Sequence, residues 1–311
     1  MTYRFEHKNL INIADLSAED ITTILDLANM YVKQNRTRMA PYNKLQGMCL
    51  MNVFFENSTR TLISFELAGK RLGMHTLNMG VETSSISKGE SLKDTFKTLN
   101  AMLADVIVVR HSQNGIIQML SEMVDCPVIN GGDGTNAHPT QALLDALTMR
   151  RKVGRLHDIT VAICGDVAHS RVARSNIVLL NKMGAKVRIV APQGMIPIHL
   201  DTLDLQVDIY HDMKQGLKDC DIVMALRVQK ERMQQTSIPN ATAFYDTYGL
   251  THEKLAFARP NALVMHPGPI NRGIEISGKL ADDKQRALIN YQVEMGVAIR
   301  MACLDLLTQN R

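Results

Sequence analysis

The chain has 311 residues, of which 45% are hydrophobic and 21% charged, which is typical of a globular protein with room for two domains. Its formal net charge of +4 is small, and the absence of lysine–arginine blocks and of tryptophan argues against a nucleic-acid-binding protein. We find no signal peptide, no apolar stretch long enough to span a bilayer and no Cys-x-x-Cys pair, so we expect a reduced, cytoplasmic protein without a membrane partner.

The first predicted helix begins after Ser17, which is expected to cap it. Glu19 and Asp20 follow in its first turn, where the helix dipole favours negative charge. Its apolar face is predicted from helical spacing to contain Ile21, Ile24, Leu25, Ala28, Tyr31 and Val32. We interpret this helix as structural.

A strand–turn–helix unit follows, with an apolar strand at 48–55 and helical spacing over 62–72. The segment Ser58-Thr59-Arg60-Thr61 lies between them. The first N–H groups of a helix are unpaired and its dipole favours negative charge, while an arginine can grip a phosphate through two hydrogen bonds. We therefore predict an oxyanion site at this segment. The alternative is that Ser58 or Thr59 only caps the helix.

Two more stretches of the first half carry polar side chains. A hydroxyl-rich segment, 81–91, contains Ser84 and Lys88 and, taken alone, is typical of a solvated loop. Arg110 follows a predicted strand, 105–109, and so stands where open α/β sheets bind ligands. The alternative for this arginine is an exposed residue that begins a loop.

A third stretch combines a glycine-rich turn with a helix start. The predicted strand 126–130 opens into 131–137, which forms no P-loop because no Gly-Lys-Ser/Thr follows. His138 and Gln141 then begin the helix 139–152, three residues apart and on one face, where both can address one ligand. The alternative is that His138 is only a capping or surface residue.

The strand–helix alternation restarts after Gly154. Strands are predicted at 159–165, 186–191, 207–210, 221–226 and 262–265, and helices at 172–183, 213–217 and 290–308. The first of these strands leads to Arg171 and the fourth to Arg227, and no G-x-G-x-x-G marks a dinucleotide site. The whole pattern predicts an α/β fold of two doubly wound, mostly parallel domains.

These strand-end loops carry arginines and hydrogen-bond donors rather than a metal-binding cluster of Cys, His, Asp and Glu. No flavin, pyridoxal or G-x-S-x-G signature is present, so we expect neither a metal nor a cofactor. A site of this composition binds several negative oxygens and acts by positioning and charge stabilisation. It fits acyl or phosphoryl transfer between small anionic metabolites without a covalent intermediate.

Taken in order, the motifs resemble those of the transcarbamoylase family over nearly the whole chain. The carbamoyl-phosphate half of that family is matched by Ser58-Thr59-Arg60-Thr61, Ser64-Phe65-Glu66, Val109-Arg110-His111 and His138-Pro139-Thr140-Gln141. Its aspartate-using branch is matched by 84–90, 165–174, 227–232 and His266-Pro267-Gly268-Pro269. The resemblance implies a carbamoyl-phosphate domain at 1–137 plus 288–311, an aspartate domain at 138–287, a C-terminal helix that returns to the first domain, and a homotrimer.

The activity that the resemblance implies is transfer of the carbamoyl group from carbamoyl phosphate to the amine of L-aspartate. This early step of pyrimidine biosynthesis yields N-carbamoyl-L-aspartate and phosphate. The catalytic residues it implies are Arg60, Thr61, Arg110 and His138. Carbamoyl phosphate would be bound by these four together with Ser58, Thr59, Gln141, Gly268 and Pro269. Aspartate would be bound by Arg171, Arg227 and Gln229, and by Lys88, which with Ser84 would come from the adjacent subunit.

Several points stay open. Leu62 stands where many relatives have a second arginine, which puts the support of the phosphate loop in question. One alternative is an ornithine-type transcarbamoylase, which the His266-Pro267-Gly268-Pro269 loop and the absence of a Ser-Met-Gly loop disfavour. The other is a catalytically silent subunit of the same fold, which the intact arginines and His138 disfavour. The trimer is expected either free or in a larger complex with regulatory or dihydroorotase-like chains.

Overall fold

The computed structural model describes residues 4–37, 42–80, 88–197, 205–228 and 240–309. The chain forms two compact units, Met1–Leu147 with Val293–Arg311, and Thr148–Gln292. Both are α/β units with parallel sheets, which confirms the predicted fold class. The domain limits expected from the sequence, at 137/138 and 287/288, stay a prediction. Within the described residues, no helix is both long and apolar enough to cross a membrane.

The first unit is built on a four-stranded sheet. Its strands are β1 (Cys49–Phe54), β2 (His75–Gly80), β3 (Val106–His111) and β4 (Val128–Asp133), in the order β2-β1-β3-β4 with every neighbouring pair parallel. β1 is buried from its second residue onward and β3 nearly throughout, which is why both contain near-continuous apolar runs. Because the strands are parallel, their carboxyl ends lie at one edge of the sheet.

The helices that accompany this sheet are α1 (Ala18–Arg36), α2 (Thr59–Leu72), α3 (Leu92–Ala101), α4 (Ile116–Ser121) and α5 (Pro139–Val153). α1 begins as predicted, because the Asp20 amide donates to the Ser17 hydroxyl and the Ser17 amide donates to the Asp20 carboxylate. All six residues predicted for its apolar face are buried. The predicted start of α5 at Pro139 is confirmed as well.

β4 corrects the predicted glycine-rich turn. The strand continues through Gly131 and Gly132 to Asp133 before the chain turns. A Cβ at Gly131 would lie 3.2 Å from the Val109 carbonyl oxygen and 3.2 Å from Val108 Cγ1. Glycine is therefore needed here because β3 and β4 approach closely, not because the chain reverses direction.

The second unit is built on a five-stranded parallel sheet. Its strands are β5 (Thr160–Cys164), β6 (Lys186–Val190), β7 (Val207–Tyr210), β8 (Ile222–Ala225) and β9 (Leu263–Met265), in the order β7-β6-β5-β8-β9. Its helices are α6 (Arg171–Lys182), α7 (Met213–Leu217), α8 (Ala241–Tyr248), α9 (His252–Leu255) and α10 (Gly278–Ala281). Each strand lies within a predicted strand, whereas the short helices α8, α9 and α10 carry no prediction.

The last helix, α11 (Ile289–Thr308), confirms the predicted return of the C-terminal helix to the first unit. Tyr31 Oη on α1 donates to Asp305 Oδ2 at 2.7 Å, and Lys44 Nζ lies 2.6 Å from the same oxygen. Asp305 is fully buried, so both contacts hold an interior charge. From helical spacing alone, Val293, Val297, Ile299 and Leu304 are predicted to pack; the last three are buried, whereas Val293 is 49% exposed.

Candidate active site

The predicted oxyanion segment forms the start of α2, just beyond the carboxyl end of β1. Ser58 is the residue before the helix, and its hydroxyl makes no capping hydrogen bond, so the capping alternative is wrong for this residue. Thr59 and Arg60 are exposed, while Thr61 is buried. Without a side-chain cap from Ser58, the first-turn amides and the helix dipole favour a negatively charged ligand.

Arg110 is the next-to-last residue of β3, in register with Phe54 of β1. Its Nη1 donates to the Gly131 carbonyl oxygen at 3.1 Å, and its Nη2 forms an ion pair with Glu56. The side chain is only 11% exposed, so the alternative of an exposed loop arginine is wrong. Glu56, from the loop after β1, was not predicted from the sequence. Its position directly before Asn-Ser-Thr-Arg was the available signal.

His138 and Gln141 stand at the start of α5, and both are buried, so the surface alternative for His138 is wrong. The Gln141 Nε2 donates to Asp145 Oδ1 at 3.0 Å, and Asp145 is fully buried one turn further along the helix. This bond fixes the Gln141 amide with its nitrogen toward Asp145, which leaves the amide oxygen as the acceptor for a ligand. Asp145 was not predicted from the sequence.

Arg300 of α11 adds a second buried guanidinium to the first unit. It is 3% exposed, and its Cζ lies 5.0 Å from the centroid of the Phe65 ring on α2. The pKa of Arg300 is lowered to about 10, chiefly by burial and also by the charge of Arg110, while Cys303 and Asp145 oppose the shift. Three charged side chains therefore influence one another in the interior of this unit. A lone arginine in the apolar run 297–302 was the signal for it in the sequence.

The second unit presents its predicted residues at the carboxyl ends of three neighbouring strands. Arg171, the first residue of α6, comes after β5, Arg227 after β8, and Gly268 and Pro269 after β9. Arg227 is exposed and Arg171 is partly exposed. Two guanidiniums at adjacent strand ends suit a ligand with two carboxylates.

Two features order the loops beside these arginines. The Asp166 carboxylate accepts a hydrogen bond from the His169 amide at 3.3 Å and lies 2.8 Å from His169 Nδ1. Gly165 has a φ of +111°, and a Cβ there would lie 3.2 Å from the Leu226 carbonyl oxygen. The loop after β5 therefore passes directly beside the residue that precedes Arg227.

Of the predicted residues not yet located, the structure describes only one. Lys88 is exposed, and Ser84 and Gln229 lie outside the described residues. The strand ends of the first unit gather residues 58–61, Arg110, His138 and Gln141, whereas those of the second gather Arg171, Arg227, Gly268 and Pro269. Their roles in binding and catalysis stay predictions. In the part of the chain that the structure describes, no three His, Cys, Asp or Glu side chains are grouped so that they could hold a metal ion.

Comparison with known proteins identifies the family. The model for the aspartate/ornithine carbamoyltransferase carbamoyl-P binding domain matches residues 8–151, and the model for the Asp/Orn binding domain matches residues 157–307. The aspartate carbamoyltransferase catalytic subunit of Rhodospirillum centenum is 57% identical over 305 residues, which cover 98% of this chain and 95% of that protein. The same subunit of Ruegeria pomeroyi is 54% identical over 306 residues, with 98% of each chain covered.

Solved structures agree with this assignment. Aspartate transcarbamoylase from Trypanosoma cruzi, in complex with carbamoyl aspartate and phosphate, matches with a TM-score of 0.85 and 31% identity over 96% of this chain and 94% of that one. The catalytic subunit of M. jannaschii aspartate transcarbamoylase matches with a TM-score of 0.86 and 32% sequence identity, over 98% of this chain and 99% of that one. Ornithine carbamoyltransferase from Pyrococcus furiosus has the same fold, with a TM-score of 0.84 over 96% of each chain, but its sequence identity to this chain is lower, at 27%. By fold, domain content and sequence identity, this chain belongs to the aspartate/ornithine carbamoyltransferase family and, within it, groups with the aspartate carbamoyltransferase catalytic subunits.

Proposed function

We propose that the protein transfers the carbamoyl group of carbamoyl phosphate to the amine of L-aspartate, forming N-carbamoyl-L-aspartate and phosphate in an early step of pyrimidine biosynthesis. The observation that carries this proposal is the set of cationic and donor side chains at adjacent strand ends in each unit. The Trypanosoma cruzi aspartate transcarbamoylase was solved in complex with carbamoyl aspartate and phosphate, which are the two products of the reaction proposed here.

Carbamoyl phosphate would bind to the residues of the first unit. Residues 58–61 would hold the phosphate through the start of α2 and through the guanidinium of Arg60. Arg110 and His138 would donate to the oxygen that gains negative charge in the transition state. Arg110 suits this role because Glu56 and a backbone carbonyl already hold its guanidinium, so little reorganisation is needed during the reaction.

The carbamoyl amide needs acceptors rather than cations. Gln141 would accept through its amide oxygen, because its amide nitrogen already donates a hydrogen bond to Asp145. The backbone carbonyls of Gly268 and Pro269 would supply the others. This division between donors for the carbonyl and acceptors for the amide is what distinguishes a carbamoyl site from a simple phosphate site.

Aspartate would be bound through its two carboxylates by Arg171 and Arg227, with Gln229 in support. Its amine would then attack the carbamoyl carbon and form the new C–N bond. The C–O bond to phosphate would break with its electron pair on the leaving phosphate, which would also take the proton that the amine loses. Positioning and charge stabilisation are sufficient for this chemistry, so no covalent intermediate is required.

We propose further that the enzyme is a cytoplasmic homotrimer in which Ser84 and Lys88 complete the site of the adjacent subunit. Exposed apolar residues on α2 and the edge strand β2 support the assembly into a trimer, because such residues often mark contacts between protein chains. Ile63 is 55%, Leu67 37% and Leu77 53% exposed. Size-exclusion chromatography with light scattering would measure the mass of the assembly. A monomer at micromolar concentration would contradict the trimer, and a larger mass in extract would indicate regulatory or dihydroorotase-like partners.

A colorimetric assay for carbamoylated amino acid, run with L-aspartate or L-ornithine as the acceptor, tests the proposed reaction. Product with aspartate alone supports the proposal. Product with ornithine alone would identify the ornithine-type alternative. Absence of product with both would identify a catalytically silent subunit.

A further inference from the structure

A buried polar network connects two loops of the second unit that carry predicted binding residues. Its members are His266, Asn271, Glu275 and Gln292, of which His266 is 1%, Glu275 2% and Gln292 2% exposed. None of them was assigned a role from the sequence. Buried polar groups of this kind lower the stability of a fold unless every member is satisfied, so their presence calls for a reason.

The hydrogen bonds of His266 define which of its ring nitrogens carries the proton. The Gly268 amide donates to Nδ1 at 2.9 Å, so Nδ1 has no proton. Nε2 therefore carries the proton and donates to Glu275 Oε1 at 3.2 Å. The His266 amide in turn donates to Gln292 Oε1 at 2.9 Å. The loop that contains Gly268 is thus held by a neutral histidine, which is itself held from two sides.

Asn271 joins the same network to the loop of Arg227. Its amide donates to Glu275 Oε1, the oxygen that also accepts from His266. Its side-chain Nδ2 donates to the Val228 carbonyl oxygen at 3.0 Å. Val228 is fully buried and directly follows Arg227. A single carboxylate oxygen therefore links the backbone on which Arg227 stands to the backbone of Gly268.

Glu275 shows that this network is not built for stability alone. Its second oxygen, Oε2, is buried and receives no hydrogen bond from any residue that the structure describes. A buried carboxylate with an unsatisfied oxygen destabilises the folded state, and apolar residues would fill the same space at lower free energy. The Glu275 carboxylate can hold two loops at once through hydrogen bonds, which an apolar side chain could not do.

We propose that Asn271 and His266, joined by Glu275, are positioning residues that set the Arg227 guanidinium and the Gly268 and Pro269 carbonyls at a fixed separation. This inference rests on the proposed function, in which the first group binds aspartate and the second binds the carbamoyl amide. The positioning residues touch neither substrate. They act because small displacements of a binding group weaken a reaction that depends on orientation.

The first test removes the link to Arg227 and compares it with a control substitution. Asn271→Ala removes one side-chain hydrogen bond to a main-chain carbonyl. Asn181→Ala is a more severe control at the amino-terminal end of the sheet, because Asn181 Nδ2 donates to the carbonyl oxygens of Ile177 at 3.0 Å and Gln206 at 3.3 Å, and its Oδ1 accepts from the Gln206 amide at 2.7 Å. We expect Asn271→Ala to raise the KM for L-aspartate about tenfold and to leave the KM for carbamoyl phosphate within about twofold. Asn181→Ala should leave both constants within about twofold.

The second test separates the two hydrogen bonds of the imidazole. In His266→Asn the amide oxygen lies near the position of Nδ1 and still accepts from Gly268, but the donor to Glu275 is lost. In His266→Gln the amide nitrogen lies near the position of Nε2 and still donates to Glu275, but the acceptor for Gly268 is lost. We expect His266→Gln to lower kcat more than His266→Asn, and His266→Asn to raise the aspartate KM more than His266→Gln.

The outcomes distinguish this inference from the proposed function. If the wild-type protein forms no N-carbamoyl-aspartate, the proposed function itself fails. If the wild type is active but Asn271→Ala behaves like Asn181→Ala, only the positioning role is overturned. The same change in kcat and KM in both His266 variants would also overturn it, because a purely structural histidine would not separate the two constants. Thermal unfolding of all four variants confirms that each is folded at the assay temperature.

Discussion

Asp145 provides a sharp test of how the first unit would hold the carbamoyl amide. It is fully buried and accepts the hydrogen bond that orients Gln141, at 3.0 Å. Asp145→Asn keeps the shape of the side chain but removes its charge and gives it a donor. The Gln141 amide can then pair in either of its two orientations. In one of them it turns its nitrogen toward the carbamoyl amide, so that two donors face each other.

The size of the effect follows from the loss of charge. A hydrogen bond to a charged group contributes about 1.5–3 kcal/mol and a neutral one about 0.5–1.5 kcal/mol, so the preference for one orientation falls by roughly 1–1.5 kcal/mol. Because the unproductive orientation then becomes about as favourable as the productive one, only about half of the molecules present the amide oxygen, and kcat/KM for carbamoyl phosphate should fall about twofold. The KM for aspartate at saturating carbamoyl phosphate should change little, because Gln141 does not contact that substrate in the proposed mechanism.

A matched substitution in the same unit controls for the loss of a buried charge. Asp305 is also fully buried and also accepts from a glutamine four residues away, with Gln309 Nε2 at 3.1 Å. Asp305→Asn should lower the free energy of unfolding in urea but leave kcat/KM near the wild-type value. Steady-state kinetics on both variants would refute our reasoning if Asp145→Asn left kcat/KM unchanged, or if the two substitutions lowered it equally.

Four further outcomes are expected. Arg227→Ala should raise the KM for aspartate at least about tenfold with little effect on carbamoyl-phosphate binding, whereas His138→Ala should mainly lower kcat. Steady-state kinetics with each substrate varied would contradict these roles if both variants behaved alike. A compound that joins a phosphonate to aspartate should bind far more tightly in calorimetry than inorganic phosphate, and comparable affinities would argue against simultaneous binding of both substrates. Trimers reassembled from Lys88→Ala and His138→Ala chains should regain about one site in three, and an absence of recovery after verified exchange would mean that Lys88 does not act in a neighbouring subunit. Burial and the hydrogen bond to Asp305 raise the pKa of Tyr31, so above about pH 10 the unfolded chain releases a proton that the folded chain keeps, and the free energy of unfolding of the wild type should fall there. Tyr31→Phe should be less stable than the wild type near neutral pH but should lack this part of the fall, as measured by urea unfolding at about pH 8 and about pH 10.5.

Features that depend on near neighbours in the chain could be predicted from the sequence. The capping pair of Ser17 and Asp20 and the buried face of α1 follow from spacing within one helix. Arg110, Arg171 and Arg227 were recognised because each follows an apolar run, and a parallel sheet brings such strand ends to one edge. The local pattern was therefore sufficient to find the side chains expected to contact ligands.

Features that depend on contacts distant in the chain could not be predicted in the same way. Glu56 and Arg110 are 54 residues apart, and only the pairing of β1 with β3 brings them together. Asp145 and Arg300 each interrupt an apolar stretch, which indicates a buried charge but does not identify its partner. Gly131 was assigned to a turn because sequence alone does not show that two strands approach closely at that point.

The two units position their ligand-binding groups in the same way. Arg110 is held by Glu56, Gln141 by Asp145, and the Gly268 backbone by His266. In each case the group expected to meet substrate lies at a strand end or at a helix start, while the group that holds it makes no contact with substrate in the proposed mechanism. Such holding groups lower stability when their charges or polar atoms are buried, yet they remove motion that the reaction would otherwise have to overcome. Substitutions of the holding groups should therefore change kinetic constants more than their distance from the substrates suggests, which makes them a stricter test of the proposed mechanism than substitutions of the binding residues themselves.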